Sequence, residues 1–170
     1  DSPQAKELIK KLKELENQGY SFEEGEASFE LLLKRKLKLI APFFVLQEFK
    51  IETDNVGDKD SVVTANVKLV VKGGNYDAKG VGDGPVNALD AALRKVLEGI
   101  YPEIKTVKLT DYKVRVLNSE AGTAARVRVI IESADETKSW GTVGVSTNVI
   151  DASWQALVDA IEYKLMLVKK

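Results

Sequence analysis

One stretch of this chain occurs twice, and that limits what the chain can fold into. It reads Gly80-Val81-Gly82-Asp83-Gly84-Pro85-Val86-Asn87-Ala88-Leu89-Asp90-Ala91-Ala92. Sixty-one residues later it reads Gly141-Thr142-Val143-Gly144-Val145-Ser146-Thr147-Asn148-Val149-Ile150-Asp151-Ala152-Ser153. At that offset Gly80 falls on Gly141, Asn87 on Asn148, Asp90 on Asp151 and Ala91 on Ala152. Each copy reads as a short β segment, a small-residue loop and a helix start. Pro85 suits a first helical position, where its missing N–H has no use. Ser146 or Thr147 can cap the second helix through a hydroxyl. Such a loop leaves N–H groups open at a positive helix end, which suits a carboxylate.

The repeat extends upstream. Thr64-Ala65-Asn66-Val67-Lys68-Leu69-Val70-Val71 lies over Ala124-Ala125-Arg126-Val127-Arg128-Val129-Ile130-Ile131 at offset sixty. Phe49-Lys50-Ile51 lies over Tyr112-Lys113-Val114 at offset sixty-three. Two long repeats predict one pseudo-symmetric domain rather than an array.

Composition excludes several functions. With 170 residues and a net charge of −1, the chain has no electrostatic case for nucleic acid or an anionic membrane. It holds no cysteine and no histidine. Disulfides, thiolate chemistry and a Ser-His-Asp arrangement are therefore out of reach, and the commonest zinc ligand is missing. No apolar run approaches the ~20 residues of a membrane span. No signal peptide is visible at Asp1, and the abrupt helical start reads as a piece of something longer.

In chain order, Ala5, Leu8, Ile9, Leu12 and Leu15 recur at helical spacing, and Gly19 stands at a C-terminal cap. Ser21 with Glu24 resembles a capping box. Phe29, Leu32, Leu33 and Leu37 then give a second helix. Each of these helices is expected to bury one stripe against the following domain or a missing neighbour. The basic run Lys34-Arg35-Lys36 reads as a solvated face. Pro42 marks a boundary. Strands are expected over 43–53, 63–71 and 76–81, with a hairpin turn at 72–75. A helix carrying Val86, Leu89, Leu93, Val96, Leu97 and Ile100 closes near Gly99, before Pro102. The second unit repeats the plan: strands over 107–117, 124–132 and 139–145, then a helix over 147–168. The fold class is α+β: two tandem pseudo-symmetric β-β-β-α units with antiparallel sheets and helices on one face, preceded by a two-helix linker subdomain. The expected divisions are 1–41 for the linker and 42–170 for the domain, with units 43–102 and 103–170.

Candidate chemistry is sparse. Gly80-Val81-Gly82-Asp83-Gly84 misses both the dinucleotide fingerprint and the P-loop, so its glycines read as a tight strand-to-helix turn. Asp83, Asp90 and Asp111 are carboxylates whose ordinary role beside a helix start is capping. An independent enzyme is the weakest reading, because no acid/base pair, nucleophile or metal set presents itself.

One ordered series of motifs carries a family resemblance. It comprises Gly82-Asp83-Gly84-Pro85-Val86-Asn87-Ala88-Leu89, Leu109-Thr110-Asp111-Tyr112-Lys113-Val114-Arg115, Gly122-Thr123-Ala124-Ala125, Trp140-Gly141-Thr142-Val143-Gly144-Val145-Ser146 and Ile150-Asp151-Ala152-Ser153-Trp154-Gln155-Ala156-Leu157. Over residues 43–165 these resemble the C-terminal regulatory domain of the 2-isopropylmalate synthase and citramalate synthase family. The segment Leu15-Glu16-Asn17-Gln18-Gly19-Tyr20, with Glu26-Ala27-Ser28-Phe29-Glu30-Leu31-Leu32, is similar to that family's linker, and its wording is nearer the citramalate synthase branch.

The resemblance implies a cytoplasmic homodimer that binds isoleucine or leucine as feedback inhibitor, with no partner role for nucleic acid or membrane. It also implies that acetyl transfer, with its divalent metal, belongs to a TIM barrel absent here, so this chain needs no cofactor and catalyses nothing. Carried over by position, the effector-binding residues are Gly82, Asp83, Gly84, Val86 and Asn87 from the loop. Leu109, Tyr112 and Val116 follow from the next strand, with Ala125 or Val127 from its neighbour. Loop N–H groups suit the α-carboxylate, and Asp83 or loop carbonyls the ammonium. Leu109 and Val116 suit a branched side chain, although core packing is an equally good use of either. The alternative is a dimerisation module without a ligand.

Overall fold

The computed structural model describes residues 2–169. Four helices and six strands run in the order α1 (Pro3–Asn17), α2 (Glu26–Lys36), β1 (Val45–Asp54), β2 (Val62–Val71), β3 (Gly74–Gly82), α3 (Pro85–Ile100), β4 (Lys108–Val116), β5 (Val127–Ala134), β6 (Ser139–Ser146) and α4 (Val149–Val168). Short 3-10 segments cover Pro102–Thr106 and Ser119–Ala124. The strands form two separate antiparallel sheets, β1-β2-β3 and β4-β5-β6. The fold is α+β, built from tandem β-β-β-α units. By packing, the described residues of 42–105 group with 167–169, and those of 2–41 group with 106–166.

In the first of these groups, β2 alternates. Val63, Ala65, Val67, Leu69 and Val71 are buried, with less buried residues between them. That is the period of a strand with one dry face. Ala88, Leu89, Ala92, Leu93 and Leu97 of α3 are buried as well, at helical spacing. Lys72 and Gly73 turn the β2–β3 hairpin with φ of 49° and 79°, both left-handed, as a two-residue I′ turn needs.

In the second group β6 is buried almost without alternation, the mark of a strand covered on both faces. Thr142 and Trp140 bond the α4 carbonyls of Ala156 and Ala160 at 2.7 and 3.1 Å. On the other face Ile130, Val143 and Val145 form a cluster with Tyr20, Phe22 and Leu117.

The two repeats superpose in a register the sequence identities do not give. Phe49 pairs with Val67 and Tyr112 with Ile131, and a bulge falls at Leu46/Glu48 and at Leu109/Asp111. Offset sixty-three therefore holds for the first strand. From the second strand onward the offset is sixty-four, not sixty or sixty-one. Ala65–Gly80 and Val129–Gly144 are matching ladder pairs. Packing sets this register. A Cβ on Gly80 would meet Ala88 O at 2.3 Å, and one on Gly144 would meet Ala152 O at 1.9 Å. These two glycines let each helix lie on its strand, whereas Gly141 abuts Glu24 O.

Other local expectations change as well. The Ser21–Glu24 capping box does not form. Gly25 precedes α2 without a side-chain cap, and Glu26 instead accepts the Gly141 N–H at 2.9 Å. The buried residues of α2 are Ala27, Ser28 and Leu31 rather than the expected Phe29, Leu32, Leu33 and Leu37, while α1 buries none fully. α3 does close near Gly99, at Ile100 before Pro102, and its C-cap Tyr101 donates its hydroxyl to Phe43 O at 2.9 Å. The strand expected from 124 begins at Val127, because Gly122 turns at φ 59° and Asn118 Oδ1 takes the Arg126 N–H. Gly19 closes α1 as expected, at φ 107°, with Tyr20 N–H on Leu15 O and Gly19 N–H on Glu16 O.

Candidate functional site

The loop residues Gly82, Asp83, Gly84, Val86 and Asn87 join β3 to α3. Gly82 cannot carry a side chain here, because a Cβ would meet Asn87 Oδ1 at 2.3 Å and Ala88 N at 2.6 Å. Asn87, in the first turn of α3, reaches back and accepts the Asp83 N–H at 3.3 Å. Gly84 is the N-cap, extended at φ −151°, with open space where a Cβ would stand. Among the described residues no side chain caps α3. Its first-turn amides are therefore left to solvent or to an acceptor from outside.

The other loop differs. Asn148 Oδ1 accepts the N–H groups of Ile150 and Asp151 at 2.8 and 3.4 Å, so the asparagine itself caps α4. Neither Ser146 nor Thr147 does, and the Ser146 hydroxyl accepts the Asn148 N–H instead. The two asparagines of the doubled motif thus have different jobs, and only the α3 loop keeps an open helix start.

The strand residues of the predicted site fall in the packing group of residues 106–166, apart from the loop residues, which fall in that of 42–105. Leu109, Tyr112 and Val116 lie along β4, opposite Ser133, Ile131 and Val127 of β5. Together with Val127 they share the sheet face that carries α4. The Ser153 hydroxyl donates to Val149 O at 2.7 Å, so the Tyr112 hydroxyl, 2.8 Å away, donates to Ser153 Oγ. Ala125 does not join them. It is buried just before β5, outside the sheet, with its N–H on Gly122 O. Alternation places Val114 on one strand face with Tyr112 and Val116, although it was not among the expected effector-binding residues. It completes an apolar row of Leu109, Tyr112, Val114 and Val116, exposed by 41, 39, 46 and 51%.

Two of the three carboxylates, Asp90 and Asp111, have a local partner, although Asp90 Oδ1 is buried without a hydrogen bond among the described residues. Asp90 Oδ2 meets Arg94 Nε at 2.8 Å, and burial nevertheless pushes its carboxyl above the usual range. Asp111 Oδ1 takes the N–H of Tyr112, and its Oδ2 stands 3.5 Å from Lys113 Nζ. Among the described residues no three His, Cys, Asp or Glu side chains stand together as a metal site, and no helix is long and apolar enough to cross a membrane.

A duplicated β-β-β-α unit with an open helix start and an apolar row on an edge strand defines a binding or assembly module. The chain belongs to the family described as the LeuA allosteric (dimerisation) domain, whose profile matches residues 24–165. It is 52% identical to (R)-citramalate synthase of Aquifex aeolicus over 167 residues, covering 97% of this chain and 31% of that protein. Against (R)-citramalate synthase of Geobacter sulfurreducens it is 51% identical over 164 residues. Against 2-isopropylmalate synthase of Aquifex aeolicus it is 40% identical over 100 residues, 59% of this chain. The chain spans about 31% of the length of the citramalate synthases it matches.

Proposed function

We propose that this chain is the regulatory domain of a citramalate synthase or 2-isopropylmalate synthase type acyltransferase, acting as a cytoplasmic homodimer that binds isoleucine or leucine for feedback inhibition. Acetyl transfer, and the divalent metal it uses, are assigned to the part of the parent enzyme outside this chain. The observation that carries the effector reading is the asymmetry of the two loops. Asn148 fills the start of α4, whereas the start of α3 has no side-chain cap and is flanked by Gly82 and Gly84. An α-carboxylate there satisfies orphan amides at the positive end of the helix. Asp83, exposed and one residue before the N-cap Gly84, is assigned to the ammonium. Leu109, Tyr112, Val116 and Val127 are assigned to the apolar side chain, whose isomers differ only in shape.

Calorimetric titration with isoleucine, leucine and valine, each separately, tests the reading. Saturable binding of one of the first two is the expected result. Discrimination against valine rests on one methylene, about 1–3 kcal/mol. Replacing Gly84 or Asn87 by a bulkier residue abolishes binding while the fold stands, and unchanged affinity in both variants sinks the site. The apolar row on β4 favours a second reading, a dimerisation module without a ligand. Silence from all three amino acids in a folded dimer selects it.

A further inference from the structure

The linker helices are held to the second sheet at a few discrete points. β6 is an edge strand, so its outward amides need partners from elsewhere. Side chains supply them. Glu26 accepts the Gly141 N–H at 2.9 Å, Ser28 the Val143 N–H at 3.0 Å and Gln155 the Val145 N–H at 3.1 Å. Gln155 also donates to Val145 O at 3.2 Å and accepts the Tyr20 hydroxyl at 2.7 Å. One turn further along α4, Asp159 pairs with Arg35 of α2 at 3.2 Å and takes a hydrogen bond from the Ser28 hydroxyl. Two adjacent side chains of α4 therefore grip both ends of the segment 20–35 and, through Ser28 and Gln155, the free edge of β6.

The packing beneath this grip is incomplete. Among the described residues α1 contributes no fully buried side chain, and α2 contributes three. A solvent-open groove of about 180 Å³ lies there, bordered by Leu15, Tyr20, Phe22, Leu32, Val143 and Asp159. The segment rests on one small apolar cluster, Tyr20 and Phe22 against Ile130, Val143 and Val145, beside this groove, so few buried apolar contacts resist its opening.

We propose that the Gln155–Asp159 turn of α4 is a releasable clasp, and that docking or undocking of the linker on the β6 edge is the conformational output of this module. The docked state is the one in the structure. The undocked state frees the Gly141 and Val143 amides together, while Val145 keeps its bonds to Gln155 of α4. Transmission of an effector's binding through the clasp rests on the regulatory reading above, while the clasp itself does not. A ligand that shifts α4 then shifts the linker only through its different affinity for the two states.

Hydrogen exchange on the whole chain tests this. Gln155→Leu and, as the milder change, Tyr20→Phe are compared with the wild type, with exchange in α3 as the control for folding. Exchange of residues 141, 143 and 145 and of α2 is expected to rise at least tenfold in Gln155→Leu and less in Tyr20→Phe, with α3 unchanged. Unchanged linker protection in both variants overturns the clasp. Repeating the measurement with saturating isoleucine or leucine tests transmission. The expected result is a change in linker exchange in the wild type that is lost in Gln155→Leu, with affinity within about twofold. An equal linker response in the variant overturns the role of the clasp in coupling. Failure of both amino acids to bind overturns the effector reading and leaves the clasp to the ligand-free comparison.

Discussion

Three glycines separate two physical reasons for having no side chain. Gly73 has open space where a Cβ would stand, but its φ is 79°. Gly73→Ala is expected to cost about 1–2 kcal/mol, the left-handed penalty for an L-residue. Gly144 is the reverse case: its backbone angle is ordinary, but a Cβ would stand 1.9 Å from Ala152 O. Gly144→Ala forces α4 off β6 and is expected to cost about 1–3 kcal/mol or more. Gly84 has neither problem, and Gly84→Ala is expected to leave stability within about 0.5 kcal/mol of wild type. Urea denaturation of the three variants checks the order.

Asp135 offers a second test at this scale. Its side chain, 7% exposed, meets Lys164 at 2.6 Å and accepts the N–H groups of Thr137 and Lys138. The Lys164 bond first, then the turn amides, hold its carboxyl well below the usual range. A folded-state value depressed below the unfolded one, about 3.9, adds stability that is complete above that pH and lost as pH falls toward the folded value. Asp135→Asn is expected to be less stable than wild type at pH 7. The gap should narrow below about pH 4. A gap that is constant with pH means the carboxylate charge contributes nothing.

At the scale of elements, the two strand-loop-helix junctions start from similar sequences and end differently. Asn148 caps α4 with two accepted N–H groups, and Asn148→Ala is expected to cost about 0.5–2 kcal/mol. Asn87 holds one exposed loop amide and caps nothing, so Asn87→Ala is expected to cost less. Thermal unfolding of the pair measures the difference, and equal losses mean that both asparagines act as caps. The alternation that marks β2 as half-buried was legible, as was a hairpin turn at Lys72-Gly73-Gly74-Asn75, whose I′ type the φ values of Lys72 and Gly73 decide. The register of the repeats was not. Identities at offset sixty-one align Gly80 with Gly141, but the backbone approach of each helix to its strand selects Gly144. Arg35 was legible only as part of a basic run expected to be solvated, because its partner Asp159 lies 124 residues away.

For the whole molecule, the open question is what covers the apolar row on β4. The dimer reading places a second copy there. Val114→Lys, at an exposed position opposite Val129, is expected to weaken self-association at least tenfold while leaving the monomer folded. Sedimentation over a concentration series reads this, and an unchanged dimer moves the interface elsewhere.

The sequence by itself determined the α+β class, the duplication of the β-β-β-α unit, nearly every element and the family, because these rest on local periodicity and on ordered motifs. The residues proposed for the site, in the loop Gly82–Asn87 and on β4, came from positions matched to the family's motifs and not from periodicity. Only the tertiary structure decided that the α3 start is open and the α4 start is filled, that Ala125 leaves the sheet, and that Gln155 and Asp159 grip the linker. Those outcomes depend on which backbone groups remain unpaired after the sheets form, and on side chains far apart in the chain that satisfy them. Periodicity carries no record of such pairings.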